Sequence, residues 1–102
     1  MSVVRISIGR FDASICDAIE QKLDESQAIL VPAVRALKGC LAFYAGIDRE
    51  HLTISNISVW ETLADAKQLD TLPAMLDLAK SFTAAGVRFE RPITNNETLW
   101  SF

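Results

Sequence analysis

The sequence predicts a single α+β domain, and three observations support this prediction. The chain has 102 residues, which is the length of one domain. Half of these residues are apolar, enough to build one hydrophobic core. Segments with the two-residue period of strands alternate with segments that have the three- to four-residue period of helices, in the order βαββαβ. This order is that of a ferredoxin-like fold, a four-stranded antiparallel sheet with the helices on one face. No linker or internal repeat interrupts it, so residues 1–102 are expected to form one domain.

The first strand and the first helix are predicted from the N-terminal third of the chain. Apolar and small or polar side chains alternate over residues 3–11, as they do in strands. A helix is expected to follow, with Asp12 or Ser14 capping its start and Gly39 ending it. Pro32 is expected to kink or break this helix, because proline lacks a backbone N–H and disfavours helix at the preceding residue.

The middle of the chain predicts a hairpin followed by further helices. Apolar runs at residues 40–48 and 52–60 flank a short charged turn, which is typical of a β-hairpin. Thr62 and Asp65 have the spacing of a capping box and predict a helix start. Pro73 suits the first position of another helix.

The last strand and a polar stretch are predicted near the C-terminus. Gly86 is expected to end the preceding helix, and residues 87–91 alternate as a fourth strand that Pro92 closes. Residues 94–98 are polar and lead to the apolar C-terminal tip. Four strands are therefore predicted in all.

The alternation in the predicted strands assigns side chains to two faces of the sheet. We expect the more aliphatic face to pack against the helices. Its members are Val4, Ile6, Ile8, Leu41, Phe43, Ile47, Ile57, Val59, Val87 and Phe89. The opposite face mixes aromatic and hydrogen-bonding side chains, namely Arg5, Ser7, Phe11, Ala42, Tyr44, Ile54, Asn56, Ser58, Trp60, Arg88 and Glu90. Such a mixture suits a subunit interface or a ligand cavity.

The C-terminal tip, residues 99–102, is unusually apolar for a chain end. Trp100 and Phe102 lie on one side of this extended segment, and each carries roughly 150–250 Å² of surface. We expect both side chains to dock, either on their own domain or across a twofold axis on a second copy of the chain. The second copy is favoured, because the open sheet face also needs a cover.

Composition and charge exclude several classes of function. Ten Lys and Arg against thirteen Asp and Glu give a net charge of −3, so no nucleic-acid partner is expected. No apolar stretch approaches the ~20 residues that span a bilayer, so no membrane association is expected. Cys16 and Cys40 lie far apart and the chain has one histidine, so no metal site is expected. Two free thiols and an N-terminus unlike a secretory signal favour a reducing cytoplasm.

Two short motifs add a family resemblance to this pattern. The segment Leu37-Lys38-Gly39-Cys40 precedes the second strand, and Ser58-Val59-Trp60-Glu61 ends the third. With these motifs in a βαββαβ order, the whole chain resembles antibiotic biosynthesis monooxygenase-like domains of the dimeric α+β barrel superfamily. The resemblance implies a homodimer whose sheets face each other, with one cavity per subunit between sheet and helices. Members of that family include cofactor-free oxygenases of polyphenolic substrates, quinol oxidases and haem-degrading enzymes.

The resemblance also implies catalytic residues. Cofactor-free oxygenases of the family carry Asn and Trp four positions apart on the third strand, which here correspond to Asn56 and Trp60. Arg88, on the fourth predicted strand, matches the cavity arginine. The tyrosine that usually follows the tryptophan is missing, and Tyr44 is the single tyrosine that could replace it. The haem-degrading pattern is disfavoured, because the first strand has no Asn and residues 63–85 contain no His.

These residues suggest a chemistry that needs no cofactor. Asn56 and Arg88 would stabilise a phenolate and Trp60 would stack on its ring, so that the electron-rich anion can react with dioxygen. The candidate substrate-binding residues are Arg5, Ser7, Phe11, Ser58 and Glu90. Arg5 would pair with an anionic ring substituent or with Glu90. The ligand expected is a small aromatic or quinone-like molecule.

Each candidate residue also has a purely structural interpretation. Trp60 can be core packing, Asn56 a cross-strand hydrogen-bonding residue, and Arg88 with Glu90 a surface ion pair. The protein as a whole can therefore be an enzyme or a non-catalytic dimeric module that binds a small ligand. The sequence leaves both alternatives open.

Overall fold

The computed structural model describes residues 1–102. Three helices and five strands follow one another as β1 (Val3–Arg10), α1 (Cys16–Arg35), β2 (Cys40–Asp48), β3 (Thr53–Trp60), α2 (Leu63–Ala66), α3 (Pro73–Ala85), β4 (Arg88–Phe89) and β5 (Thr94–Glu97). Short 3-10 helices precede α1 at Ala13–Ile15 and follow α2 at Lys67–Asp70. None of the helices has the combination of length and apolarity that a bilayer crossing needs.

The strands form one antiparallel sheet in the order β2-β3-β1-β4, and β5 pairs with β1 on the same edge as β4. Val3 lies opposite Trp60 and Arg10 opposite Thr53 across the central pair β1 and β3. This arrangement confirms the predicted ferredoxin-like α+β fold. The predicted β-hairpin is also confirmed, with strand ends within one residue of those expected.

The first helix differs from its prediction at both ends. It passes through Pro32 and ends at Arg35, before the expected stop at Gly39. The proline falls in the last turn, where it removes few helical hydrogen bonds, and its carbonyl still accepts from the Ala36 N–H at 3.3 Å. Asp12 makes no side-chain cap, because the chain enters α1 through the 3-10 turn.

The predicted ends of the later helices are confirmed. The Thr62 hydroxyl accepts a hydrogen bond from the backbone N–H of Asp65 at 3.0 Å, as a capping residue does. Pro73 occupies the first position of α3. Gly86 ends α3 with a φ of 112°, a left-handed conformation that favours glycine.

The sheet has one strand more than the four predicted, because residues 94–97 form β5 beside β1. The expected fourth strand is correspondingly short, since β4 spans only Arg88–Phe89. An edge strand needs only backbone hydrogen bonds to its one neighbour, so polar side chains do not prevent it. Pro92 follows the short pairing of β4 with β1, and β5 then pairs with the N-terminal half of β1.

The assignment of the two sheet faces is also wrong for the central strands. The helices cover the face that carries Arg5, Ile54 and Trp60, all of which are buried. Trp60 packs with Val34 of α1, and Ile54 belongs to a second core cluster with residues of α1 and α3. The alternation showed which residues share a face, but both faces are apolar enough to meet a helix.

The uncovered side of the sheet is called the open face below. The register pairs Val4 with Val59 and Ile6 with Ile57 across β1 and β3. A shift near Cys40 in β2 places Ala42 and Tyr44 beside them and turns Phe43 toward the helices. The open face is therefore formed by Val4, Ile6, Ile8, Ala42, Tyr44, Ile57 and Val59.

Candidate functional site

A cavity of about 470 Å³ lies between the sheet and the helices α1 and α3. Twelve of its 21 lining residues are hydrophobic. Its helical wall includes Leu30 from α1 and Phe82 from α3, and its sheet wall includes Ile54 from β3. A mainly apolar cavity of this size with a few polar groups is typical of a small-molecule site.

Arg5 is the most deeply buried charged group on the cavity wall. Arg5 is 5% exposed, and its Nη2 donates a hydrogen bond to Oδ1 of Asp70 at 2.7 Å. Asp70 ends the 3-10 helix that follows α2, and its side chain is half-exposed. The other guanidinium nitrogens of Arg5 make no hydrogen bond to the protein, so they are free to donate to a molecule in the cavity.

Neutral polar residues, among them Ser7, Asn56 and Asn95, share the sheet wall with Arg5. Ser7 and Asn56 lie opposite each other on β1 and β3, and neither side chain is hydrogen-bonded to the protein. Asn95 lies opposite Arg5 on β5, and its Oδ1 is buried without any hydrogen-bond partner. Unpaired polar groups cost folding free energy, so this wall provides hydrogen-bonding capacity that the protein does not use itself.

Trp60, Ser58 and Phe11 are on the helix-covered face but do not line the cavity. Trp60 is fully buried, and its indole Nε1 donates to the Ser58 hydroxyl at 2.8 Å. Phe11 belongs to the second core cluster at the other end of β1. These three predicted site residues therefore pack the core, and Trp60 is not positioned to stack on a ring in the cavity.

Tyr44, Arg88 and Glu90 lie outside the cavity. Tyr44 is 62% exposed on the open face. Arg88 contacts Asp12 at 3.4 Å, and Glu90 accepts a hydrogen bond from Arg10 at 2.8 Å. The expected pairing of Glu90 with Arg88 or Arg5 is therefore wrong, because Arg10 of the neighbouring strand takes this carboxylate.

Of the nine predicted site residues, the structure brings together Arg5, Ser7 and Asn56. It adds Asp70, Asn95 and Arg91, which the sequence did not single out. Asn95 was not predicted because its polar segment was assigned no strand, and a strand there would place it beside β1. Asp70 was not predicted because the segment before Pro73 was interpreted as the start of a helix.

Arg91 provides a second positive charge at the cavity. Its guanidinium lies 5.4 Å from the centre of the Phe89 ring, within range of a cation–π contact. Arg5, Arg91 and Asp70 are the charged residues of the lining, which leaves one positive charge in excess.

No cluster of three or more His, Cys, Asp or Glu side chains is arranged to hold a metal ion. Cys40, at the start of β2, packs against the core cluster around Trp60. Burial raises the pKa of its thiol, although a hydrogen bond with the backbone of Ala42 opposes this effect. A raised pKa keeps Cys40 a thiol near neutral pH, the form that ligates metals poorly.

The fold and the cavity define a ferredoxin-like α+β protein with a mainly apolar cavity between sheet and helices. No protein-family model and no curated protein sequence matches the chain. Solved structures do match it. One is a "putative antibiotic biosynthesis monooxygenase" from Deinococcus radiodurans, with a TM-score of 0.72 and 17% identity over 100% of this chain and 96% of that chain.

Two further structures have the same fold. A variant of SnoaB from Streptomyces nogalater, a cofactor-independent oxygenase, matches with a TM-score of 0.71 and 13% identity over 98% of this chain and 95% of that chain. A dimeric ferredoxin-like protein of unknown function from Jannaschia sp. matches with a TM-score of 0.70 and 14% identity over 96% of this chain and 100% of that chain. The chain thus shares the fold of antibiotic biosynthesis monooxygenase-like proteins over nearly its whole length.

Proposed function

We propose that this protein is a cofactor-independent monooxygenase that acts on phenolic or quinol-type small molecules in the cavity. The observation that carries the proposal is the composition of the cavity walls. An apolar helical wall faces a sheet wall on which Arg5 and Asn56 have hydrogen-bonding groups without protein partners. A planar aromatic ring with one hydroxyl group matches such a pair of walls. The shared fold with SnoaB, itself a cofactor-independent oxygenase, supports the proposal.

Arg5 is the residue best suited to stabilise a phenolate. A buried guanidinium beside a phenol favours the ionised form, because it attracts the negative charge in surroundings of low dielectric constant. The Asn56 amide can donate a second hydrogen bond to the same oxygen. Asp70, half-exposed beside Arg5, can take the phenol proton toward solvent.

The phenolate then supplies every electron that the reaction needs. It passes one electron to dioxygen, and the resulting phenoxyl radical and superoxide combine to form a C–O bond at a ring carbon. The peroxide takes back the proton, and loss of water leaves a quinone. One phenol and one dioxygen give one quinone and one water, so no other reductant is required.

Oxygen consumption with a panel of phenols and hydroquinones tests this proposal. We expect uptake of dioxygen, and we expect Arg5→Met to reduce its rate by at least about tenfold. Such a loss is typical when a hydrogen-bond donor to a developing negative charge is removed. Arg10→Met is the matched control, because Arg10 lies on the same strand but is exposed and pairs with Glu90. Equal loss in both variants, or no uptake with any compound, would contradict the proposal.

A second candidate function is a non-catalytic module that binds a small ligand. One observation favours it: Asp70 is the single carboxylate on the cavity wall, and it is already hydrogen-bonded to Arg5. Thermal stabilisation by an aromatic ligand without any dioxygen uptake would favour this function over the enzyme.

The proposal includes a homodimer formed through the open face. Tyr44 is 62% exposed there, next to the aliphatic side chains of β1 and β3. A monomer would leave this apolar sheet surface in water, which is unusual for a soluble domain. A second copy of the chain can cover it, since a twofold axis brings the same patch from both subunits together.

The C-terminal tip supports the same dimer. Trp100 is 80% exposed and Phe102 is fully exposed, so neither docks on its own domain. Two large aromatic side chains left in water at one chain end favour docking on a second copy. In a chain that ends at Thr98, we expect the dimer dissociation constant, measured by sedimentation velocity, to rise about tenfold or more. An unchanged constant would remove the tip from the interface.

A cytoplasmic location stays a prediction. It rests on Cys16 and Cys40, which form no disulfide with each other, as thiols remain in a reducing compartment.

A further inference from the structure

Arg91 differs from Arg5, the other arginine that lines the cavity. It makes no ion pair with any carboxylate, whereas Arg5 is paired with Asp70. Glu90, its neighbour in the chain, is taken by Arg10. The guanidinium of Arg91 therefore keeps its full charge available to a molecule that enters the cavity.

The position of Arg91 is fixed by contacts that also belong to the cavity. Its guanidinium lies over the Phe89 ring, and both residues line the cavity together with Pro92 and Ile93. Arg91 itself is exposed, so it lies at the mouth, whereas Arg5 is buried. Two cationic groups thus mark a deep position and an outer position of one apolar cavity.

The charges of the lining favour an anion at the outer position. Asp70 is bound to Arg5 and balances that charge, while nothing balances Arg91. The protein as a whole has a net charge of −3, so this local excess of positive charge is opposite in sign to the rest of the molecule. A negatively charged group on a ligand would be attracted to this mouth.

We propose that the cavity selects hydroxylated aromatic carboxylates, with the phenol at Arg5 and the carboxylate at Arg91. This inference rests on the proposed function, because it assumes that the phenolic substrate occupies the cavity. It adds that the substrate is a monoanion before the phenol ionises. Arg91 is then a specificity-determining residue, which touches a part of the substrate that does not react.

A binding experiment tests the inference without any turnover. The probes are 6-hydroxy-2-naphthoate and its neutral carboxamide, which have the same rings and phenol and differ in charge at the far end. Titration calorimetry gives both affinities for the full chain. We expect the carboxylate to bind about fivefold more tightly, the preference that one partly exposed ion pair supplies. The preference should shrink as salt is added.

Two variants separate the role of Arg91 from a general effect of charge. Arg91→Gln should bind both probes equally, because the mouth then has no free cation. Lys80→Gln removes the same charge from the outer side of α3, does not line the cavity, and should keep the fivefold preference. Neither residue is buried, so both variants should fold.

Several results would overturn the inference. Equal binding of the two probes to the unmodified chain, a preference that survives Arg91→Gln, or binding of neither probe would each do so. The proposed oxygenase activity is decided separately by dioxygen uptake with neutral hydroquinones. Uptake with those compounds together with equal binding of the two naphthalene probes would retain the oxygenase and reject the selection for a carboxylate.

Discussion

The two faces of the sheet differ in what covers them and in what their side chains do. The helix-covered face is the more polar one, yet its residues are buried: Arg5 and Ser58 lie beneath the helices along with Trp60. The open face is almost purely aliphatic around Ile6 and Ile57, yet no helix covers it. In this fold polar groups line an internal cavity, whereas the aliphatic open face is not covered by any helix of the same chain. Hydrophobicity alone therefore does not identify the inner face.

The largest expected effect is at the centre of the helix-covered face. Trp60→Ala should lower the free energy of unfolding by about 3–5 kcal/mol, the cost of a large cavity in a packed core. It also leaves the buried Ser58 hydroxyl without its donor. Urea denaturation measures the loss, and Ile29→Ala at an exposed position of α1 is the control. An equally small loss in both variants would show that Trp60 is not a core residue.

On the open face, the expected effect is on association rather than folding. Ile57→Lys places a charge between Ile6 and Tyr44 at the centre of the proposed interface. The dissociation constant of the dimer should rise about 100-fold or more, because the charge would have to be buried without a partner. Sedimentation velocity measures this change. Leu63→Lys, an exposed apolar position on α2, is the control; a dimer unaffected by Ile57→Lys would contradict the proposed interface.

The sequence was sufficient to predict the fold but not which face carries the site. Period-two alternation correctly grouped Arg5, Ser7 and Asn56 on one face, because that grouping depends only on local geometry. Which face meets the helices depends on the whole packing, and Val4 or Ile6 is as suitable for a helix as Phe11. Trp60 illustrates the same limit. Its spacing from Asn56 matched a catalytic pattern, but the packing around it directs its indole N–H to Ser58.

The segment Thr94–Glu97 shows a second limit. Its four polar residues have no strand signal of their own, and they become β5 only because half of the β1 edge is otherwise unpaired. Nothing local distinguishes Asn95 from Asn96. Asn95 lies opposite Arg5 and lines the cavity, whereas Asn96 donates to the Val4 carbonyl. This difference arises only because pairing with β1 fixes the register of β5.

Substitutions of Asn95 and Asn96 test whether the two faces differ as described. Asn95→Leu replaces a buried acceptor that has no partner, so the free energy of unfolding should rise by about 1 kcal/mol. The same variant should weaken the binding of 6-hydroxy-2-naphthoate, as expected for a polar group kept for function at a cost in stability. Asn96→Leu breaks the bond to the Val4 carbonyl and should instead lower the free energy of unfolding by up to about 1 kcal/mol. Urea denaturation without ligand gives both signs, and a loss in both variants would contradict the assignment.

The smallest expected effect is in the β2–β3 turn, which belongs to neither face and serves as a reference. The Asp48 carboxylate accepts hydrogen bonds from the backbone N–H and the ring of His51, and these hold the pKa of Asp48 below its usual value. A carboxyl whose pKa is lower in the folded state contributes stability above its unfolded pKa of about 3.9 and loses it as the pH falls through the folded value. Asp48→Asn should therefore be slightly less stable than the unmodified chain at pH 7 and equal to it at the acid end of the transition. Because the turn is remote from the interface, the pH-dependent difference should be the same in the Ile57→Lys background. If this stability difference changes in the Ile57→Lys background, the turn contacts the second copy and cannot serve as a reference for the two faces.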